Sequence, residues 1–123
     1  PIVGDLLNPT PALGWNLTER RDLFERIRSE SFFALALVHH LAIGGNVPLP
    51  RVVETLHRIA PSGVVEWVDK QDAMVQRMLR NRTDVFADYT WDVFRTELER
   101  RFNIVKTVET HDGARRLCLL EPR

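Results

Sequence analysis

The clearest hydrophobic pattern is the nearly unbroken apolar run FFALALV over residues 32–38, which ends on His39 and His40. A strand that is apolar at every position is typical of a parallel sheet whose two faces are both covered. The stretch from Gly63 to Val68 repeats the pattern, and Ile2 and Val3 before Gly4 look like the end of a further strand. These runs predict parallel strands with helices on both faces of the sheet.

Apolar residues at helical spacing separate the strand-like runs. Thr18 reads as the N-cap of a first helix, and Thr90, followed by Asp92, as the N-cap of the last one. The predicted helices cover about residues 19–28, 50–59, 71–82 and 91–102. The stretch from Asn8 to Trp15 contains two prolines and is predicted to be a loop.

The last part of the chain changes to the pattern of an antiparallel hairpin. Residues 104–110 and 116–120 are strand-like, and they flank His111-Asp112-Gly113. Asp-Gly between two strand-like runs is a strong hairpin signal. The order of elements therefore predicts a single α/β domain over residues 1–123, a parallel sheet completed by an antiparallel hairpin.

Composition narrows the class of protein. The 123 residues are 44% hydrophobic, and 17 Lys plus Arg balance 17 Asp plus Glu, so no general field favours nucleic acid or an anionic membrane. Cys118 is the single cysteine, which excludes an internal disulfide. No apolar run approaches the roughly 20 residues that cross a bilayer, and no secretory signal opens the chain. We expect a cytoplasmic protein.

Three polar positions follow the predicted strands. Asp5 follows the first, His39-His40 and Asn46 follow the second, and Asp69 follows the third. Ligands of open α/β sheets bind at the carboxyl ends of the parallel strands. The positions are therefore expected to converge on one ligand crevice.

The two histidines allow more than one interpretation. Successive strand residues point to opposite faces, so His39 and His40 are poorly placed to share a metal ion, and we predict none. One imidazole can be hydrogen-bonded within the fold while the other lies at the surface. Alternatively, one faces the crevice as a general base or a substrate donor, since its ordinary pKa near 6.5 permits either role. The sequence alone does not decide between these roles or between the two histidines.

Other candidates carry similar alternatives. Asp5 suits a ligand amine or hydroxyl, but also a turn. Trp15 lies in a proline-rich loop, where its indole either stacks on a flat ligand or packs onto the domain. Cys118 in an apolar strand is more typical of an inert buried thiol than of a nucleophile. A small hydrolase would need a nucleophile or a metal, and neither is visible.

Three blocks of the chain together resemble a known family. They read NPTPALGWNLTERRDLFERI, ALALVHHLAIGGNVPL and EWVDKQDAMVQRMLRNRTDVFADYTWDVF. They are similar to the carboxyl-terminal part of bacterial class I S-adenosylmethionine-dependent methyltransferases related to a host-specific nodulation protein. The resemblance implies a Rossmann-like sheet of strand order 3-2-1-4-5-7-6, of which this chain holds 3-4-5-7-6 without the first two strands.

The resemblance also implies roles for residues. Asp5 and Leu6 would approach the adenine of S-adenosylmethionine, and His39 and His40 would line the transfer site as catalytic residues. An unidentified methyl acceptor would contact positions on several loops. The expected substrate-binding residues are Asn8, Trp15, Asn46 and Asp69.

This chain departs from the family in lacking the glycine-rich turn and the acidic residue that hold the cofactor after the first two strands. We therefore expect the carboxyl-terminal, acceptor-side portion of a methyltransferase domain, inactive alone. The edge of residues 32–38 would lose its neighbouring strand, so either Ile2-Val3 or a second copy in a homodimer is expected to cover it. The rival interpretation is a non-catalytic interaction or assembly module on the same scaffold.

Overall fold

A four-stranded mixed sheet forms the centre of the computed structural model, which describes residues 1–123. Its strands lie in the order β1-β2-β4-β3, with β1 parallel to β2 and the other two pairs antiparallel. The α/β class is confirmed, and this order equals the one expected for strands 4-5-7-6. The strands are β1 Ser31–Ala34, β2 Ser62–Val68, β3 Phe102–Thr110 and β4 Arg115–Pro122.

Four α-helices accompany the sheet, and the two longest pack against each other. They are α1 Leu23–Arg26, α2 Leu49–Ile59, α3 Ala73–Leu79 and α4 Trp91–Arg101. Helix α4 begins as predicted, because the Thr90 hydroxyl accepts a hydrogen bond from the Val93 N–H at 3.4 Å. No helix combines the length and the apolar character needed to span a bilayer. The buried residues of α2 are Leu49, Val52, Val53 and Leu56.

Helix α1 is shorter than predicted, and its cap is not Thr18. The carboxylate of Asp22 accepts a hydrogen bond from the Glu25 N–H at 2.9 Å and begins the helix. The Thr18 hydroxyl instead donates to the Trp15 carbonyl at 2.9 Å and closes a 3₁₀ turn. An antiparallel bridge between Leu13 and Arg20 holds the segment between them as a loop, so the helix cannot start there. Helix α3 likewise covers less than the predicted residues 71–82.

Strand β1 ends at Ala34, so the prediction of a strand over residues 32–38 is wrong for its second half. Ala36 has a left-handed backbone (φ 50°), which a continuing strand cannot accommodate. Beyond it Val38, Leu41 and Ala42 are all buried, and their spacing of three and four is helical. A short π-type helix therefore occupies His40–Gly44. Both histidines lie in this helical segment rather than at the end of a strand.

No strand forms at Ile2–Gly4, and this prediction is also wrong. Ile2 is 49% exposed and Val3 is fully exposed. Asp5 turns the chain away from the sheet, because its carboxylate accepts the Leu7 N–H and its carbonyl accepts the Asn8 N–H. Consequently Ile2-Val3 does not pair with the outer edge of β1.

The two faces of the sheet differ in how well they are covered. Trp67 on β2 is fully buried, and its ring stacks on Tyr89 and on Phe94 of α4, with centroids 4.3 and 5.0 Å apart. On the opposite face Phe33 is 76% exposed and Leu119 is 41% exposed. The expectation of helices over both faces is therefore wrong at these positions. Strand pairing aligns the open row as Phe33, Val64, Leu119 and Lys106.

The predicted hairpin is confirmed. Strands β3 and β4 pair from Phe102–Pro122 to Thr110–Arg115 around the turn at His111–Gly113. All three turn residues have left-handed backbones, with φ 52°, 56° and 85°, and asparagine, aspartate, histidine and glycine tolerate this region best. The local sequence therefore determines this part of the fold.

Candidate functional site

The carboxyl ends of the parallel strands β1 and β2 carry a buried polar cluster. The Glu66 carboxylate on β2 accepts the N–H of Ala36, just after β1, at 2.7 Å. Arg115, the first residue of β4, lies 3.6 Å from the same carboxylate. The loop after β1 is thus fastened to the next strand by a side chain, because its turned backbone no longer meets strand partners.

Asp72 completes this cluster from the start of α3. Its carboxylate accepts hydrogen bonds from the Arg115 guanidinium at 2.9 and 3.3 Å and from the Met74 N–H at 2.9 Å. The hydrogen bond from Arg115 is the main reason that the pKa of Asp72 lies below its usual value, and the pair raises the pKa of Arg115. Asp72 therefore caps α3 and anchors β4 at once.

His39 is buried against this cluster. Its side chain is 1% exposed, and its Nδ1 has no hydrogen-bond partner. Burial, and then the positive charges of His40 and Arg115, lower its pKa to about 4, although Asp72 and Glu66 oppose the shift. His39 is therefore a neutral imidazole at pH 7, with one nitrogen free to donate or accept.

His40 differs from its neighbour in exposure. The two rings are 4.3 Å apart between centroids and inclined at 37°, but the His40 side chain is exposed. The helical segment thus gives the two adjacent histidines different environments, one buried and one exposed to solvent.

The segment of Asp5 and Leu6 lies beside the helical segment that carries the histidines. Leu7 packs directly over Gly45, leaving no room for a side chain there. Leu6 is half-buried against the core, whereas the exposed Asp5 is engaged in its own turn through the Leu7 N–H at 2.9 Å. The contact between Leu7 and Gly45 thus brings the segment before Asn8 against the end of the helical segment that follows β1.

The four predicted substrate-binding residues occupy different surroundings. Asn8 is exposed, and Trp15 is 84% exposed in its 3₁₀ turn. Asn46 is exposed with a left-handed backbone (φ 55°) and lines a groove beside α2. Asp69 is held in a turn, where its carboxylate accepts the Gln71 N–H at 3.2 Å. Asn46 and Asp69 lie on the loops at the carboxyl edge, and Trp15 is not tied to them by any hydrogen bond or ring contact.

Sequence reasoning missed Glu66, Asp72 and Arg115 as site residues. A single acidic residue in the otherwise apolar stretch from Gly63 to Val68 was the available signal for Glu66. Asp72 had the sequence position of a helix cap. Arg115 had no local signal, because its partners lie 43 and 49 positions earlier in the chain. No group of three or more His, Cys, Asp or Glu side chains could hold a metal ion.

Comparison with known proteins gives one relationship. The chain is 41% identical over 105 residues to Nodulation protein NoeA of Rhizobium meliloti (strain 1021). The matched region covers 85% of this chain but 22% of that protein. No family model matches the chain, and no solved structure matches it. The chain is thus similar to about a fifth of a longer nodulation protein.

Proposed function

We propose that this chain is the acceptor-side portion of an S-adenosylmethionine-dependent methyltransferase. The observation that carries the proposal is the strand order β1-β2-β4-β3, with β4 inserted antiparallel between β2 and β3. It equals the order implied for the last four strands by the resemblance of the three sequence blocks. The relationship to a nodulation protein agrees with the nodulation-related part of that resemblance.

The residues of this chain fit the cofactor only in part. Asp5 keeps one carboxylate oxygen outside its turn, since only Oδ1 accepts the Leu7 N–H, and Leu6 offers an apolar surface beside it. The chain contains no glycine-rich turn of the kind that holds the methionine and ribose portions. We therefore expect binding to require further residues of a longer protein.

The two histidines would have separate tasks. S-adenosylmethionine supplies an electrophilic methyl group, so the protein has mainly to align the acceptor and, where needed, remove a proton. His40 is exposed and can pass a proton to water, which suits a general base. His39 is buried and neutral, so it suits a hydrogen bond to a ligand or to a neighbouring group.

The test compares this chain with a longer protein that contains it. S-adenosylmethionine is titrated into both and the heat of binding is measured. Binding by the longer protein but not by this chain supports the proposal. Absence of binding by either overturns methyl transfer and favours the second candidate, a non-catalytic interaction module, to which the open row through Phe33 and Leu119 also points.

A second experiment tests His40 directly. The longer protein is incubated with methyl-labelled S-adenosylmethionine and a bacterial lysate, and label transferred to any acceptor is counted. His40→Gln is expected to lower transfer about 100-fold if the acceptor must lose a proton. His57→Gln changes an exposed histidine of α2 and is the control. Equal transfer by both variants would remove His40 from the mechanism.

We also propose that a second copy covers the outer edge of β1. That edge has no strand partner in the sheet order, and Phe33 and Leu35 beside it are 76% and 54% exposed. An open, apolar edge strand promotes pairing with another chain. Sedimentation velocity of the unaltered chain and of Phe33→Lys measures the oligomeric state and tests this proposal.

A further inference from the structure

A groove lies between the N-terminal ends of α2 and α4, and its lining includes Ala42 and Asn46 from the segment that follows the histidines. It encloses about 370 Å³, which is within the range of small-molecule pockets. Seven of its 11 lining residues are hydrophobic. Asn46 and Asp88 are polar residues of the lining. Asn46 is the one lining residue that the family resemblance also assigns to the methyl acceptor.

An anion is a poor occupant of this groove. Helix N-termini bind anions through free N–H groups, but Pro48 and Pro50 at the start of α2 have none. At the start of α4, Thr90 already accepts the Val93 N–H, and Asp92 adds negative charge to the first turn. Neither helix end is therefore equipped for phosphate or carboxylate.

The charge that faces the groove is negative and unpaired. Asp88 is the one charged residue in the lining, and its carboxylate forms no ion pair within the chain. Two cations lie nearby, and each already has a partner within the chain. Arg82 donates to the Ile43 carbonyl at 2.9 Å and lies over the Phe86 ring, 5.4 Å from its centroid. Lys70 holds Asp84 and the Phe86 carbonyl.

The apolar walls supply the rest of the recognition. Phe86 offers a partly buried ring, and the α2 side contributes the proline rings of Pro48 and Pro50. The Tyr89 hydroxyl is not available to a ligand, because it donates to the Val68 carbonyl at 2.6 Å. Asn46 remains free to bond a ligand, since its side chain forms no hydrogen bond within the chain and its left-handed backbone places it on the rim.

We propose that this groove binds small organic amines in their ammonium form, with an apolar or aromatic body against Phe86 and the prolines and the ammonium at Asp88. The Asp88 residue is exposed, and the ammonium is expected to form a charge-assisted hydrogen bond with its carboxylate. For a compact amine the dissociation constant is expected to be about 1 mM.

The test uses the complete 123-residue chain and 2-phenylethylamine, followed by the shifts of the valine methyl groups in NMR spectra. Val47, Val85 and Val93 line the groove and are expected to shift together. The uncharged 2-phenylethanol is expected to bind about tenfold more weakly, and Asp88→Asn to weaken the amine about tenfold. Asp92→Asn, outside the lining, is expected to change affinity less than about twofold.

Three results would overturn the proposal. They are shifts that miss these three valines, equal affinity of the alcohol and the amine, and equal effects of the two aspartate variants. Should Asp88→Asn fail to fold, the comparison of amine and alcohol on the unaltered chain still decides. The result is independent of methyl transfer, since no S-adenosylmethionine is present.

Discussion

Glu66 holds Ala36 across a gap of 30 positions in sequence, by a hydrogen bond of 2.7 Å from the Ala36 N–H to the carboxylate. This bond fastens the turn that leads out of β1 and directs the chain into the helical segment with both histidines. Because Ala36 has a left-handed backbone, an alanine there is strained and needs such a contact to persist. The shape of the candidate site therefore depends on Glu66.

Replacing Glu66 by alanine should destabilise the fold. The variant leaves the Ala36 N–H without its partner and removes one of two carboxylates facing Arg115. The expected loss is about 2 kcal/mol in the free energy of unfolding, measured by urea denaturation. Glu54→Ala, at an exposed ion pair with Arg51, should change the free energy of unfolding far less. Equal losses would mean that Glu66 is not the anchor described here.

The buried His39 should make stability depend on pH. Its pKa is about 4 in the fold against an ordinary 6.5. Between these values the unfolded chain binds a proton that the folded chain refuses, so the free energy of unfolding decreases as pH falls from 6.5 to 4. The contribution is at most about 3 kcal/mol. Asp72 affects the free energy of unfolding only at lower pH, because its pKa is lowered from 3.8.

Denaturation curves at pH 7, 6 and 5 measure this effect. His39→Leu should flatten the dependence of unfolding free energy on pH in this window, whether or not it changes stability at pH 7. His57→Gln, at an exposed position, should leave the slope unchanged. A slope that survives the His39 substitution would assign the proton uptake to another group.

The thiol of Cys118 should be unreactive in the folded chain. It is fully buried, and burial raises its pKa, so little thiolate is present. A thiol reagent at pH 8 should react about 100-fold more slowly with the native chain than with the chain in denaturant. Fast labelling of the native chain would show that the centre of β4 opens readily.

The exposed Phe33 should promote self-association. Phe33→Lys places a charge in the open row beside the unpaired edge of β1, and like charges oppose edge pairing. Sedimentation velocity over a range of concentrations should show less dimer for this variant than for the unaltered chain. Leu17→Lys changes an equally apolar residue, 66% exposed in the 3₁₀ turn, and should have no effect. A monomeric unaltered chain would rule out the proposed second copy.

Elements with strong local signals were predictable from the sequence. The hairpin follows from its turn residues, α2 from its apolar spacing and α4 from its Thr90 cap. The end of β1 was not predictable, because it depends on a side chain 30 positions away. The continuous apolar run over residues 32–38 concealed a change from strand to helix, since a short apolar run is consistent with either element.

The sequence indicated a place for a site but not its composition. The carboxyl edge of the parallel strands was the expected place, and His39, Asn46 and Asp69 lie on segments that follow β1 and β2. That they form one site stays a prediction. Burial is the main cause of the low pKa of His39, and the charges that act on it beyond His40 come from β2, β4 and the cap of α3. Only the folded chain assembles this environment. Local sequence could not distinguish the buried histidine from the exposed one, because this depends on the helical backbone.

The interior position of β4 has a consequence for how the chain assembles during synthesis. Strand β3 precedes β4 in sequence, yet β3 reaches the rest of the sheet only through β4. A ribosome that has released residues only as far as Thr110 therefore exposes β2 without its second neighbour. Until β4 emerges and joins the two halves of the sheet, that edge of β2 is open to pairing with other chains.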